Sequence, residues 1–247
     1  MAIYTLTPQQ LKGAGVYNSF EILAGGGGGF SDTTSFLYDG TDDKLQFASG
    51  WDTLDGNLIT NGGFTISVWV KLNSLATGQT IWRSWNSGGS VQTNITVNTS
   101  GQVQVFTGGS GSNWSRSTVN LVTGQWYHIV FRLDSSNANR YTKQQIWING
   151  VQGFTSNFFG GTMPDGASAS IGVNGYSNTG YFSGYINEFA VWSQYSLTNT
   201  EIGNIYNSGA PNDLADTDNV SRAPDNWVRS ENGTWNGREW NITDYDK

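Results

Sequence analysis

The chain has 247 residues, including 33 glycines and 11 tryptophans but no cysteine, and only 13% of its residues are charged. Its formal net charge of −7 argues against nucleic acid or an anionic membrane as a partner, because phosphate binding needs clustered lysine and arginine. The absence of cysteine excludes disulfides and thiolate–metal sites, and no apolar run approaches the roughly 20 residues of a membrane span. A cation, or a neutral ligand such as a sugar, is compatible with this composition.

Residues 1–30 are predicted to form an N-terminal arm. In TLTPQQLKGAG, a short helix is predicted to begin after Thr7, with Pro8 as its first residue, and to stop at Gly13. The next stretch, YNSFEIL, predicts a short strand, and the five consecutive glycines that follow it predict a flexible hinge. Two interpretations are open: a loop within the main domain, or an arm that docks elsewhere through a tether.

Residues 31–210 have the pattern of one all-β domain. In FTISVWVKL, the apolar residues Phe64, Ile66, Val68 and Val70 lie on one face of a predicted strand and Trp69 lies on the opposite face. Further strands are predicted in SFLYDG, DKLQFA, TIWRSW, NITVNTSGQVQVFTGG, STVNLV, QWYHIVFRLD, QQIWINGVQGF, ASASIGVN and GYINEFAVWS. Ser100-Gly101 and Asn149-Gly150 are hairpin turn signals. Many strands of similar length predict an all-β, two-sheet antiparallel jelly-roll sandwich.

The stretch SLTNTEIGNIYNSG predicts a helix at the end of this domain. Ser196 or Thr198 is the candidate N-cap, Glu201 lies at capping-box spacing from Thr198, and Gly209 is the stop signal.

Residues 211–247 are predicted to form a C-terminal tail that contains tryptophan and is rich in Asp, Asn and Gly. Two similar pieces, TWNG and EWNI, predict a strand pair around NGRE. The tryptophans argue against full disorder. The tail therefore docks either on a partner or on the chain's own sandwich.

The order of these signals resembles the laminin G-like domains of the concanavalin A-like lectin/glucanase superfamily. The resemblance covers roughly residues 35–209 and rests on LYDGTDDKLQF, FTISVWVKL, SGQVQV, GQWYHIVFRLD, IWINGV, IGVN, YFSGYINEFAVW and LTNTEIGNIYNSG. It implies a jelly roll with a concave face, used in many family members to bind carbohydrate or protein, often with calcium. Such domains also occur in phage virion proteins, which the combination of arm, jelly roll and tail resembles.

Calcium is the metal that the sequence favours, because it prefers carboxylate, amide and carbonyl oxygens. The turn DGTDD supplies Asp39, Asp42 and Asp43. The resemblance implies that this turn lies near the strand YINE, where Asn187 and Glu188 could add oxygens, although family members usually have Asp at the position of Asn187. The alternative is an Asp-rich turn held by local hydrogen bonds.

The single histidine, His128, is predicted to be a packed strand residue that is hydrogen-bonded to a neighbour. Both faces of its strand carry bulky residues, with Trp126, His128 and Val130 on one face and Tyr127, Ile129 and Phe131 on the other. A general base needs a nucleophile and an orienting group within reach, and nothing adjacent supplies them. The carboxylate spacing Glu-x-Asp-x-x-Glu of related glucanases is also absent, so we predict no enzymatic activity.

Sugar binding often uses exposed aromatic side chains on loops. The candidates are Trp85, Trp114, Tyr176 and Tyr181, whereas Trp82 is also compatible with the core. The alternative is that these rings only cap the core.

The sequence thus predicts a non-enzymatic virion structural protein, a tail, fibre or capsid-decorating component that displays a laminin G-like domain. Its expected partners are other virion proteins or copies of itself in a homo-oligomer, and its expected location is the virion surface. The alternative is a lectin module for cell-surface glycans. The N-terminus does not match a Sec signal, which agrees with synthesis in a host cytoplasm.

Overall fold

The computed structural model describes residues 15–17, 35–47, 62–108, 114–134, 143–155, 168–228, 233–235 and 240–242. The strands are β1 Gly15–Tyr17, β2 Ser35–Asp39, β3 Leu45–Phe47, β4 Phe64–Leu72, β5 Gln79–Trp85, β6 Val91–Val97, β7 Gln102–Thr107, β8 Trp114–Asn120, β9 Trp126–Asp134, β10 Lys143–Ile148, β11 Val151–Thr155, β12 Ser168–Ile171, β13 Ser183–Ser193, β14 Asn226–Val228, β15 Gly233–Trp235 and β16 Trp240–Ile242. The helix α1 is Asn199–Tyr206, and a short 3-10 turn, Asn207–Gly209, follows it.

The strands form two large sheets, which confirms the predicted antiparallel sandwich. The first sheet has the order β1-β2-β13-β4-β9-β10-β11, and β14 also pairs with β13. The second sheet has the order β3-β12-β5-β6-β7-β8. Among the described residues, no helix has the length and apolar character needed to cross a membrane.

The main core lies between the two sheets. One face of each long strand points into it, as strand alternation requires. In β4 this face runs from Phe64 to Leu72, and Trp82 of the second sheet stacks on Phe189 of the first at 4.7 Å. The alternation predicted for FTISVWVKL is therefore confirmed, and Trp82 is a core residue.

A second apolar cluster covers the outer face of the first sheet. It brings Val130, Trp147, Ala190 and Trp192 of the strands together with Ile202 and Ile205 of α1 and with Leu214, Val220 and Trp227. The predicted helix is confirmed with Thr198 as its N-cap and Glu201 completing the capping box. It ends at Tyr206, because Asn207 and Ser208 take left-handed conformations before Gly209.

The described part of the predicted tail docks on the chain's own sandwich, which was one of the two predicted alternatives. Residues 211–228 pack on the chain's own sandwich, with Leu214 and Trp227 buried, and β14 pairs with β13. The predicted strand pair is also present, since β15 and β16 are antiparallel with Trp235 opposite Trp240.

The local turn predictions hold where the structure describes them. Asn149 and Gly150 join β10 to β11 and both have positive φ, as the tightest hairpin turns require. Gly101, also at positive φ, follows Ser100 between β6 and β7. The predicted helix at residues 7–13, the glycine hinge and most of YNSFEIL lie outside the described residues. Within the predicted arm, β1 pairs with β2 at the edge of the first sheet.

Candidate functional site

The outer face of the second sheet carries a continuous cross-strand row of side chains. Ser170 pairs with Arg83, Arg83 with Asn94, Asn94 with Phe106, and Phe106 with Trp114. Their strand neighbours point into the main core, so these five side chains point away from it. We call Ser170, Arg83, Asn94, Phe106 and Trp114 the outer row.

An aromatic pair forms one end of the outer row. The rings of Phe106 and Trp114 lie 5.1 Å apart with a tilt of 41°, and Trp114 is 45% exposed. A large exposed ring beside a second ring offers an apolar surface to a ligand that stacks on it.

Polar groups without partners lie at the middle of the same row. Asn94 is only 4% exposed, yet its Oδ1 atom accepts no hydrogen bond in the described part of the chain. The Nε atom of the half-buried Arg83 likewise has no partner there. Burial lowers the pKa of the Arg83 guanidinium. Buried polar groups are normally hydrogen-bonded, so these two atoms are suited to partners from outside the chain.

Charge is distributed unevenly across the molecule. The six described strands of the second sheet contain no Asp or Glu, and their charged residues are Arg83 and Arg116. Arg116 is exposed and pairs with Gln104, two residues along β8 from Trp114, so it points to the same side. The outer face of this sheet is therefore positively charged in a chain of net charge −7.

A second candidate region is the acidic turn at the end of β2. Carboxylate oxygens of Asp39, Asp42 and Asp43 lie within 4.8 Å of one another. The backbone N–H of Thr41 donates to Asp39 Oδ1 at 2.7 Å, and the N–H of Asp39 donates to Asp43 Oδ2 at 2.7 Å. Burial raises the pKa of Asp43 to about 6. The hydrogen bond from the Asp39 N–H lowers this pKa, whereas the negative charges of Asp39 and Asp42 raise it further.

The structure does not bring Asn187 and Glu188 to the acidic turn. Asp39 pairs with Ser183, and Asn187 lies four residues further along β13, a displacement of about 13 Å. Glu188 is buried and lies at a β-bulge with a φ of 50°, and its Oε2 accepts from Trp227 Nε1 at 2.5 Å. The strand YINE thus runs beside β2, but the offset along it separates these oxygens from the turn.

The predicted loop aromatics fall into two groups. Trp85 and Tyr176 contact each other edge to face at 6.5 Å, with Trp85 buried and Tyr176 56% exposed. The loop that carries Tyr176 also contacts the residue after the acidic turn, since Lys44 Nζ donates to Asn178 Oδ1 at 2.7 Å. Tyr181 is half-buried in the same loop. Trp114 lies at the far end of the outer row, whereas Ser170, at its near end, accepts a hydrogen bond from Gly175 of the Tyr176 loop.

His128 is a packed residue, as predicted. It is 1% exposed, its Nε2 and Ser67 Oγ lie 2.7 Å apart, and its ring stacks on Trp69 at 5.0 Å. Burial lowers the pKa of His128 to about 3. Ser67, His128 and Glu188 line one recess that has no room for a water molecule, which leaves no space for a substrate.

Arg83, Asn94 and Phe106 were not among the residues predicted from the sequence to bind a ligand. A signal for them was present in the strands, because polar residues alternate with core residues in segments that lack any acidic side chain. Only the register shows that the three are adjacent.

The comparison with protein families finds a match over residues 20–203 to the Concanavalin A-like lectin/glucanases superfamily. A comparison with curated proteins finds none that matches.

Several solved structures share the fold at low sequence identity. Domain 4 of AbnA, an extracellular arabinanase from Geobacillus stearothermophilus solved in complex with arabinotriose, is 20% identical, with a TM-score of 0.53 over 78% of this chain and 87% of that one. The heptameric SAP-like pentraxin of Limulus polyphemus is 17% identical, with a TM-score of 0.51 over 69% of this chain and 80% of that one. Trypanosoma rangeli sialidase in complex with the inhibitor DANA is 15% identical, with a TM-score of 0.50 over 78% of this chain but 29% of that one.

Proposed function

Because this chain belongs to the concanavalin A-like lectin/glucanase superfamily, we propose that it is a non-enzymatic module that binds glycans on the outer row of its second sheet. The observation that carries the proposal is the combination of an exposed ring, Trp114, with unpaired polar atoms of Arg83 and Asn94 on one row. Sugar rings bind by stacking their C–H faces on aromatic rings while polar side chains bind their hydroxyls. The likeness to AbnA domain 4 supports an oligosaccharide as ligand, since that domain is in complex with arabinotriose.

The absence of catalysis is part of this proposal. Glycoside hydrolysis uses a pair of carboxylates that flank the scissile bond. The described strands of the second sheet offer no carboxylate to a ligand on the outer row. The buried Ser67–His128 pair cannot serve, because the recess around it admits no substrate.

The test is a glycan array followed by titration of the best oligosaccharide. Trp114→Ala is expected to lower the affinity at least about tenfold, the loss typical of a central aromatic contact. Val122→Ala is the control, because Val122 is 48% exposed, close to the value for Trp114, but lies past the opposite end of β8. Absence of binding across the array, or equal affinity of wild type and Trp114→Ala, would contradict the outer row as the glycan site.

Calcium binding by the acidic turn belongs to the same proposal. Three carboxylates whose oxygens lie within 4.8 Å of one another match the oxygen-rich coordination of calcium. Asp39, Asp42 and Asp43 would hold the ion, without Asn187 or Glu188. Calcium is expected to raise the melting temperature of the wild type but not of Asp42→Asn. An unchanged melting temperature of the wild type with calcium and with chelator would refute this site.

We also propose, as the sequence predicts, that the module acts as a homo-oligomer on a virion surface. The pentraxin of similar fold is heptameric, which supports testing for an oligomer. Light scattering of the full chain and of a form without residues 1–30 tests the role of the arm. Loss of the oligomer with an intact sandwich supports an assembly role, and a monomeric full chain counts against it.

A further inference from the structure

We propose that the outer row selects anionic sugars, with Arg83 as the residue that binds the acidic group. This inference rests on the glycan-binding function proposed above and narrows it to a class of ligand. The shared chemistry is a sugar ring that carries a carboxylate or a sulfate.

Arg83 has no counter-charge among the described residues. A second arginine, Arg132, is 6% exposed and donates to Gln145, to the Leu197 carbonyl and to Asn199. Arg83 is also partly buried, but its Nε has no acceptor, and no described carboxylate forms an ion pair with it. A partly buried cation without a counter-charge is unfavourable. A ligand that brings an anion to Arg83 would relieve this and bind more tightly. The forked guanidinium matches the two oxygens of a carboxylate.

A hydrogen-bond acceptor lies next to Arg83 on the outer row. Asn94 lies directly opposite Arg83, about 5 Å away across the strand pair. Its Oδ1 is a buried acceptor without a donor. Arg83 offers donors and Asn94 an acceptor, which is the pattern that a sugar acid needs, because its carboxylate accepts while its adjacent hydroxyl donates.

The charges of the second sheet also favour an anion. With no acidic residue in the described strands of the second sheet, no carboxylate there repels an anion from Arg83. The exposed Arg116 adds a second positive charge on the same side. Opposite charges steer ligands and suppress wrong partners, so this face favours acidic over neutral glycans.

The outer row is long enough to hold several sugar rings. Arg83 and Trp114 lie three strand spacings apart, or about 14 Å. An oligosaccharide, rather than a single sugar, can therefore stack one ring on Trp114 while an acidic ring reaches Arg83.

The test compares two probes that differ only in charge, tri-galacturonic acid and its methyl ester, by calorimetric titration of the full chain. The wild type is expected to bind the acid at least about tenfold more tightly than the ester, as expected for a charge-assisted hydrogen bond. The preference should shrink as sodium chloride is raised, because salt screens the pair. Arg83→Gln should remove the preference, because it lowers the affinity for the acid much more than the affinity for the ester, and Arg83→Lys should keep part of it. Trp114→Ala should weaken both probes alike.

The outcomes separate this inference from the function on which it rests. Equal affinity of the wild type for acid and ester overturns the anionic preference but leaves glycan binding intact. No binding of either probe, or of any array glycan, overturns both. A sulfated galactose oligosaccharide that binds through Arg83 more tightly than tri-galacturonic acid supports the anionic class and identifies sulfate as the acidic group. Should Arg83→Gln unfold, the wild-type preference and its dependence on salt still decide the question.

Discussion

The two sheets of this sandwich present opposite kinds of outer face. The outer face of the first sheet is covered by α1 and residues 211–228, and Arg132, Glu188 and Ser67 have partners there, whereas the buried Nδ1 of His128 has none. The outer face of the second sheet keeps Trp114 exposed and leaves atoms of Arg83 and Asn94 unpaired. A buried polar group that is satisfied within the chain stabilises the fold, whereas unpaired polar groups beside an exposed ring are suited to partners from a ligand. The difference therefore indicates which face serves stability and which serves binding.

The largest expected contrast is between a tryptophan on each face. Trp192 is fully buried under the helix, and its Nε1 donates to the Arg222 carbonyl. Trp192→Ala is expected to lower the free energy of unfolding by about 4 kcal/mol, because it leaves a large cavity. Trp114→Ala should change it by less than about 1 kcal/mol, because an exposed surface residue contributes little to stability. Urea denaturation of both variants measures this, and equal losses would erase the distinction between the faces.

The two arginines give the next contrast. Arg132→Gln removes the donor to three acceptors and the cation that lies 5.4 Å from the Trp147 ring. We expect a loss of about 3 kcal/mol in the free energy of unfolding, since buried acceptors are left unpaired. Arg83→Gln should be neutral or stabilising, because it removes a charge that has no partner. A large loss in Arg83→Gln would mean that this arginine serves the fold.

The pH dependence of stability tests the covered face through His128. Its folded pKa of about 3 lies below its ordinary value of 6.5, so between these values the unfolded chain binds the proton and the folded one does not. Stability from this group is present above pH 6.5 and falls as the pH drops, by about 2 kcal/mol at pH 5. His128→Gln should therefore show a smaller loss between pH 7 and pH 5.

The wild type must be compared with His128→Gln, because Asp43 changes the stability with pH in the opposite direction to His128. Its folded pKa of about 6 is raised, so its protonation between pH 6 and pH 4 stabilises the folded state as the pH falls. The difference between wild type and His128→Gln cancels this contribution. Parallel pH profiles of the two proteins would contradict the burial of a neutral His128.

The smallest expected effect concerns the cap of α1. Thr198→Ala removes the side chain that accepts from the Glu201 N–H, and we expect a loss of about 1 kcal/mol in the free energy of unfolding. Thr198→Ser keeps the hydroxyl and serves as the control. Glycan affinity should be unchanged in both variants, because α1 lies on the first sheet. An altered affinity would show that the two faces are coupled.

Much of the fold followed from local patterns. The alternation around Trp69, the turn at Asn149-Gly150 and the capping box of Thr198 each depend on residues a few positions apart, and the structure has all three. The burial of His128 followed from bulky neighbours on both faces of its strand. Such features need no knowledge of what packs against the strand.

Which candidate site residues lie together could not be predicted from local sequence patterns. Asp39 and Asn187 lie on paired strands, but the offset along β13 keeps them apart. Trp85 meets Tyr176, whereas Trp114 meets Phe106. These outcomes depend on register, and a shift of one residue moves every side chain to the other face.

The amino-acid sequence by itself determined the class of the fold, its strands and its helix cap, because periodicity, turn residues and caps act over a few residues. Tertiary structure alone decided that Arg83, Asn94, Phe106 and Trp114 form one row and that residues 211–228 cover the opposite sheet. The physical reason is that both results come from strand register and from the packing of distant segments, which bring together side chains far apart along the chain.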